Sequence, residues 1–231
     1  MTHFTSTAKP ITRRDLALTL WGGALVLLGF LVAYALHRWS ADPPRMGRAI
    51  FSPWLDNLST LGWTRDPMGQ DNRPAALVFA LTLTGTGLLF LHFWSWRRRL
   101  VKPAGLRRAV GLCGGLMGLF LLLVGLLPEN LFPRLHNGMI FPPVLLGALA
   151  ILGCYLGPDP GLESRRARRV TQGVIAVAFL TAVALKGAVL LEWLPRQPAL
   201  PVMQKILILL LGAWTLRQAA ILRRAMGRPR P

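Results

Sequence analysis

The feature that most constrains this chain is a series of six apolar blocks, each roughly 20 residues long, cut apart by polar segments. They cover about 16–36, 74–94, 109–127, 138–156, 170–191 and 206–222. At about 1.5 Å per residue, a block of this length matches the roughly 30 Å hydrocarbon core of a bilayer. The apolar residues run continuously rather than repeating with helical or strand periodicity, so no block has a polar face to show to water. A helix satisfies its own backbone hydrogen bonds, which lipid demands of any crossing segment. The predicted fold is therefore all-α: a polytopic transmembrane bundle of six helices, one integral membrane domain over residues 1–231. Charged residues make up only 16% of the chain, well under the roughly 25% of a soluble domain.

The first block follows Lys9, Arg13 and Arg14 and contains Ala33-Tyr34-Ala35, features shared with signal peptides. Its apolar region exceeds the usual ~7–15 residues, so it reads as an uncleaved first span. The longest connection, 37–73, carries Ile50, Phe51, Trp54, Leu55, Leu58 and Leu61 at helical spacing. With Trp54 and Trp63 as interface anchors, this predicts a short amphipathic helix on the membrane surface. The third span holds the overlapping pairs Gly111/Gly115 and Gly114/Gly118. Such spacing lets another helix approach closely and points to a homo-oligomer or a membrane partner at that face. Pro142 and Pro143 are expected to bend or start the fourth helix.

The formal net charge is +18, yet no nucleic-acid motif accompanies it, and nucleic acid is not expected as a partner. The charge is sorted by loop instead. Arg97, Arg98, Arg99, Lys102, Arg107 and Arg108 fill the second loop, and Arg165, Arg166, Arg168 and Arg169 the fourth. The third and fifth loops hold only Arg134, Arg196 and Lys205. By the positive-inside rule both termini face the cytoplasm, and the basic loops meet anionic lipid there. The expected location is the cell inner membrane. Trp94, Trp96 and the run Arg97-Arg98-Arg99 mark an exit into water, and Arg217 reads as snorkelling to that same face. Cys113 and Cys154 lie inside apolar blocks without His at ligand spacing, so neither a metal nor a cofactor is expected.

The opposite face collects the candidate site residues: Asp56, Asn57, Ser59, Asn72, Glu129 and His136, with Lys186 under the end of span five. Ionisable groups this close to hydrocarbon are costly and mark candidate sites. Glu129 and His136 share a face if their turn is helical. A carboxylate beside an imidazole can orient a general base, and it can equally hold a cation or a lipid head group. Glu129 could instead cap the incoming helix, His136 could be interfacial, and Lys186 could snorkel or pair with Glu129, Asp56 or Glu192.

Two stretches together resemble a bacterial and archaeal six-span membrane family, the domain of unknown function 998. The first is Asp56-Asn57-Leu58-Ser59-Thr60-Leu61-Gly62 with Asn72 ahead of span two; the second is Gly125-Leu126-Leu127-Pro128-Glu129 followed by His136. More remotely, the chain is similar to DRAM-like membrane proteins. It departs from the family pattern at Leu127, where an aromatic is frequent, and at Thr60, where an acid is frequent. The resemblance implies a six-helix integral protein of the plasma membrane and carries no established activity.

Three functions follow as expectations. The first is a non-enzymatic membrane protein whose polar pocket binds a membrane lipid's head group or a small polar ligand. The second is a lipid hydrolase or transferase, with His136 as base, Glu129 orienting it and Ser59 as nucleophile. The third is a structural or assembly subunit using the glycine-rich span. The sequence lacks G-x-S-x-G, H-E-x-x-H and a Walker lysine loop. No span carries a mid-membrane carboxylate, which argues against a proton-coupled carrier.

Overall fold

The structure, a computed structural model, describes residues 11–40, 56–66, 69–157, 163–194 and 196–227. Within them the chain forms α1 (Arg13–Ser40), α2 (Arg73–Arg97), α3 (Ala104–Leu126), α4 (Pro133–Leu156), α5 (Arg165–Leu190) and α6 (Arg196–Gly227). A 3-10 helix at Leu58–Gly62 precedes α2, and a second, Arg98–Leu100, follows it. All six long helices are long and apolar enough to cross a membrane, as a multi-pass membrane protein requires. Leu25, Leu81 and Leu180 stand on their outer surfaces, well exposed, as lipid-facing side chains do.

Each helix runs past the edge of its apolar block, for local reasons. Asp71 Oδ1 accepts from the Arg73 backbone N–H at 3.1 Å and from Arg73 Nε at 2.9 Å, starting α2 at Arg73. The Arg73 side-chain bond holds the exposed Asp71 carboxyl below its ordinary value. Pro133 opens α4 at the first helical position, where a missing N–H costs nothing. The helix therefore starts ahead of the expected 138, and Pro142 and Pro143 lie inside it. The segment 192–205, expected as a proline-broken turn, is mostly helix, because α6 starts at Arg196 and contains Pro201. Between α5 and α6, Glu192 adopts φ 60°. Trp193 N–H donates to Ala188 O at 2.8 Å and Glu192 N–H to Val189 O at 3.2 Å, a Schellman closure with an acid in the glycine position.

Packing is densest among α1 to α4: α2 lies between α1 and α3, and α3 against α4. The α2–α3 contact rests on glycine. A Cβ on Gly118 would sit 2.9 Å from Gly87 O, and one on Gly87 would sit 2.6 Å from Gly118 O. Gly114 faces the Trp94 ring, and Gly125 the Thr84 backbone. The glycine stripe of the third span is thus used inside the chain; of its pairs, Gly115 alone has open space beside it. Helix α6 returns against α1, and α5 is attached at the margin between α4 and α6, with Ala182 its one buried residue.

At the end of the bundle where α2 finishes, Trp94, Trp96 and Arg97 of the expected exit into water are core, while Arg98 is exposed and Arg99 half-buried. Phe93, Trp94, Trp96 and Trp214 are buried, and Trp94 stacks on Trp214 with ring centroids 5.7 Å apart. Arg97 is 4% exposed and donates from Nε to Gln218 Oε1 at 3.2 Å. Gln218 Nε2 donates to Glu163 Oε1 at 2.7 Å, and Arg217 Nη2 to Glu163 Oε2 at 3.1 Å. Arg217 is therefore paired with an acid rather than reaching freely to a lipid surface. Trp214 Nε1 completes this network with a 2.8 Å bond to Tyr155 Oη.

Candidate functional site

At the other end, the loop before α2 is pinned to the α3–α4 turn. Pro128 cannot donate to the α3 ladder, and the helix ends at Leu126. The turn that follows lifts Glu129 and Asn130 toward the loop. Glu129 Oε2 accepts from Ser59 Oγ at 2.7 Å and from Trp63 Nε1 at 3.2 Å. Asn130 makes a reciprocal pair with Thr64: its Nδ2 donates to Thr64 Oγ1 at 2.8 Å, and its Oδ1 accepts the Thr64 N–H at 3.2 Å.

From below, the loop is held by Asn72. This side chain is 1% exposed, and its Nδ2 donates to Trp63 O at 2.7 Å and Leu61 O at 3.4 Å. Its Oδ1 meets His37 Nδ1 at 2.9 Å. From the side, α6 supplies Gln204 Oε1, which accepts the Leu58 N–H at 3.0 Å. Lys205 Nζ donates to Asp56 O at 2.6 Å and Pro201 O at 3.2 Å. Gly62 presses against the Phe79 ring, where a Cβ would come within 2.6 Å. Ser59, Leu61 and Gly62 are buried. Leu58–Gly62 is thus a roof seated on α1, α2 and α6 rather than part of a surface helix. Ile50, Phe51, Trp54 and Leu55, the rest of that expected helix, lie outside the described residues.

Beneath this roof lies a cavity of about 170 Å³ that touches all six helices. Phe30, Phe79, Met117, Val144, Phe179 and Trp214 are among its walls, so it is overwhelmingly hydrocarbon. Ser59, Gln204 and His136 bring polar atoms to its lining near the roof. Because α4 starts at Pro133, His136 sits in the first turn of that helix, 1% exposed, rather than in the turn ahead of it. Its Nδ1 is hydrogen-bonded to Leu127 O, one of the last carbonyls of α3. Its Nε2 is buried and has no hydrogen-bond partner among the described residues.

The expected residues therefore separate. Ser59 and Glu129 are bonded to each other, and Ser59 and His136 line one cavity. Asn72 supports the roof from inside the fold. Asp56 takes part through its carbonyl, and Asn57 through its carbonyl bond from Thr60 N–H at 3.1 Å. Lys186, half-buried on α5, forms no ion pair with Glu129 or Glu192 and does not line the cavity. The nucleophile–base–acid relay is not made: the Ser59 hydroxyl donates to Glu129, and the His136 ring is turned to Leu127. Among the described residues, no group of His, Cys, Asp and Glu has metal-site geometry.

Trp63 and Gln204 enter the site without having been singled out for it. Trp63 reads as an interface anchor from its neighbours. Gln204 reads as a loop residue among prolines; its only signal is a polar pair, Gln204-Lys205, opening an apolar run.

No curated protein and no solved structure matches this chain. Residues 46–220 do match a family, and the match takes in both the roof and the α3–α4 turn. The likeness to DRAM-like proteins gains nothing from it. With the matched region covering most of the six-helix bundle, the chain belongs to the family described as protein of unknown function (DUF998).

Proposed function

We propose that this protein binds a membrane lipid inside its bundle, in the cavity beneath the Ser59 roof, and is not an enzyme. The observation that carries this reading is an apolar cavity lined by residues of all six helices, with His136, Ser59 and Gln204 as its polar residues. Polar groups buried in hydrocarbon are ordinarily hydrogen-bonded, and the buried His136 Nε2, without a partner among the described residues, lies on a side chain that lines this cavity. The rest of the lining suits an apolar chain more than the polar head group expected from the sequence alone. Helix α5, lightly packed at the margin, offers the route from the bilayer.

In this reading the protein sits in the cell inner membrane, both termini in the cytoplasm, its basic loops against anionic lipid. The Ser59 roof then faces outward. A cysteine at Asn130 should react with a membrane-impermeant maleimide in intact cells, and protection from it would reverse the sidedness.

The binding itself is tested by fluorescence. Trp214 lines the cavity, so phospholipids brominated along one chain should quench it. The signal is the part of the quenching that Trp214→Phe removes. It should disappear in Ala178→Phe, which places a ring in the cavity from α5. Equal quenching in the filled variant would refute the reading.

A further inference from the structure

Away from the central cavity, a groove of about 570 Å³ lies between the start of α1 and the end of α6. Its α1 side runs from Arg13 through Leu16, Ala17, Leu20 and Trp21 to Ala24, steps of three and one that keep to a single helix face. The face is graded: a guanidinium stands at its end, and every position after it is apolar. Leu16 is buried, while Ala17, Trp21 and Ala24 are exposed on the outside of the bundle. From Arg13 to Ala24 the helix rises about 16 Å, close to half of the roughly 30 Å hydrocarbon core. The groove therefore has the depth of one leaflet.

Helix α6 brings a second charge to the same end. Gly23 packs on α6 at Leu216, where a Cβ would lie 3.0 Å from Leu216 Cδ2. About two turns further along α6 stands Arg223, which lines the groove with Arg13. Both arginines are exposed, and neither has an ion pair or a side-chain hydrogen bond among the described residues. The chain nearby offers no free counter-ion. Residues 1–15 and 223–231 hold seven Lys and Arg and a single acid, Asp15. Asp15 is engaged elsewhere: Oδ2 accepts from the Thr12 N–H and Oγ1, each at 2.8 Å, and Oδ1 lies 3.9 Å from His92 Nε2 on α2.

Two guanidiniums over an apolar trough fit an anion that carries its own hydrocarbon. The planar fork of arginine matches phosphate oxygens in paired hydrogen bonds. A head with an ammonium beside its phosphate would set that cation next to two guanidiniums, with no acid in the lining to hold it. Trp21 adds a donor below the charges. Side chains of a helix lean toward its N-terminus, so the ring tips back toward Arg13, where the ester groups of a lipid lie.

We infer that this groove holds a glycerophospholipid of net negative charge, its phosphate bound by Arg13 and Arg223 and one acyl chain laid along Ala17, Trp21 and Ala24. Phosphatidylglycerol and cardiolipin share this chemistry. The site is separate from the cavity beneath Ser59 and does not depend on it. In the sidedness proposed above, it draws on the cytoplasmic leaflet.

Trp21, 72% exposed, reports on the groove. The purified full chain is reconstituted into phosphatidylcholine bilayers that hold a small fixed fraction of chain-brominated phosphatidylglycerol, or the same fraction of brominated phosphatidylcholine. The signal is the part of the quenching that Trp21→Phe removes. Wild type should favour phosphatidylglycerol about tenfold, the ratio expected for hydrogen bonds to a charged group. Arg13→Gln with Arg223→Gln should bring the two lipids level. Arg14→Gln with Arg224→Gln removes the same charge from neighbours outside the groove lining and should keep most of the preference. Ala17→Phe fills the groove with both charges in place and should lose it. Equal quenching by the two lipids in wild type overturns the site. So does an equal loss in the two arginine pairs, which would mean a diffuse attraction of anionic lipid to the whole basic end. A preference that survives Ala17→Phe overturns the seating of the acyl chain.

Discussion

The Ser59 hydroxyl and the Glu129 carboxylate meet at 2.7 Å across 70 positions of the sequence, joining the loop before α2 to the turn after α3. The bond does two things. It locks the roof of the cavity to the far side of the bundle, and it uses the only hydrogen Ser59 has. Ser59 and Glu129, expected as parts of a catalytic relay, are here bonded to each other, while His136 is bonded to Leu127 O.

Removing the clasp should loosen the fold from this end. Glu129→Ala leaves Ser59 Oγ and Trp63 Nε1 without their shared acceptor, at a cost of about 1–3 kcal/mol. Glu129→Gln keeps an amide oxygen for one of them and should cost less. Unfolding temperature in detergent orders the three proteins; an alanine variant as stable as wild type would show that the clasp contributes nothing.

Asn72 is tested by its closest relative. Its amide donates to two backbone carbonyls, Leu61 O and Trp63 O, from a fully buried position. Asn72→Asp is nearly isosteric but turns the ionised side chain into an acceptor facing two acceptors. It should be at least as destabilising as Asn72→Ala, by roughly 2 kcal/mol or more. Denaturant or thermal unfolding reads this directly, and an aspartate variant more stable than the alanine one contradicts the assigned bonds.

The glycines of α2 and α3 should differ sharply from one another. Gly87→Ala puts a methyl 2.6 Å from Gly118 O and Leu122 N, so two helices must separate. Gly115→Ala meets nothing within 4 Å and should gain up to about 1 kcal/mol from reduced backbone freedom. Yields of folded protein and unfolding temperatures measure both. An oligomer present in wild type and lost in Gly115→Leu, on blue-native gels, would support the third span as an interface between chains.

Glu192 occupies the left-handed position that closes α5. Glycine there removes the Cβ conflict, so Glu192→Gly should stabilise by about 0.5–1 kcal/mol, whereas Glu192→Val should destabilise. Thermal unfolding of the two variants should move in opposite directions.

At the opposite end, Glu163 accepts from Gln218 and Arg217 while its own side chain is almost wholly buried. Glu163→Ala strands those donors near the buried Arg97 and should cost about 1–3 kcal/mol. In a double-mutant cycle with Arg217→Ala the two losses should not add, because Arg217 is already without its partner.

The sequence alone determined the class of this molecule. Six blocks of hydrocarbon have one stable form in a bilayer, because backbone groups must bond within their own segment, and that requirement depends on no partner. Loop chemistry was legible for the same reason wherever it was local, as with Pro128 ending α3. The tertiary structure decided everything that depends on two distant stretches meeting. Arg97 and Trp94 read as an exit into water, and the return of α6 with Gln218 and Trp214 covers them. The glycine stripe could face a second chain or α2, since the same small surface fits either. His136 carried a polar label in the sequence, but which nitrogen is spent and which is left open follows from where Leu127 O lies. Hydrogen bonds are directional and short-ranged, so their sense is written in the assembled geometry and not in the order of residues.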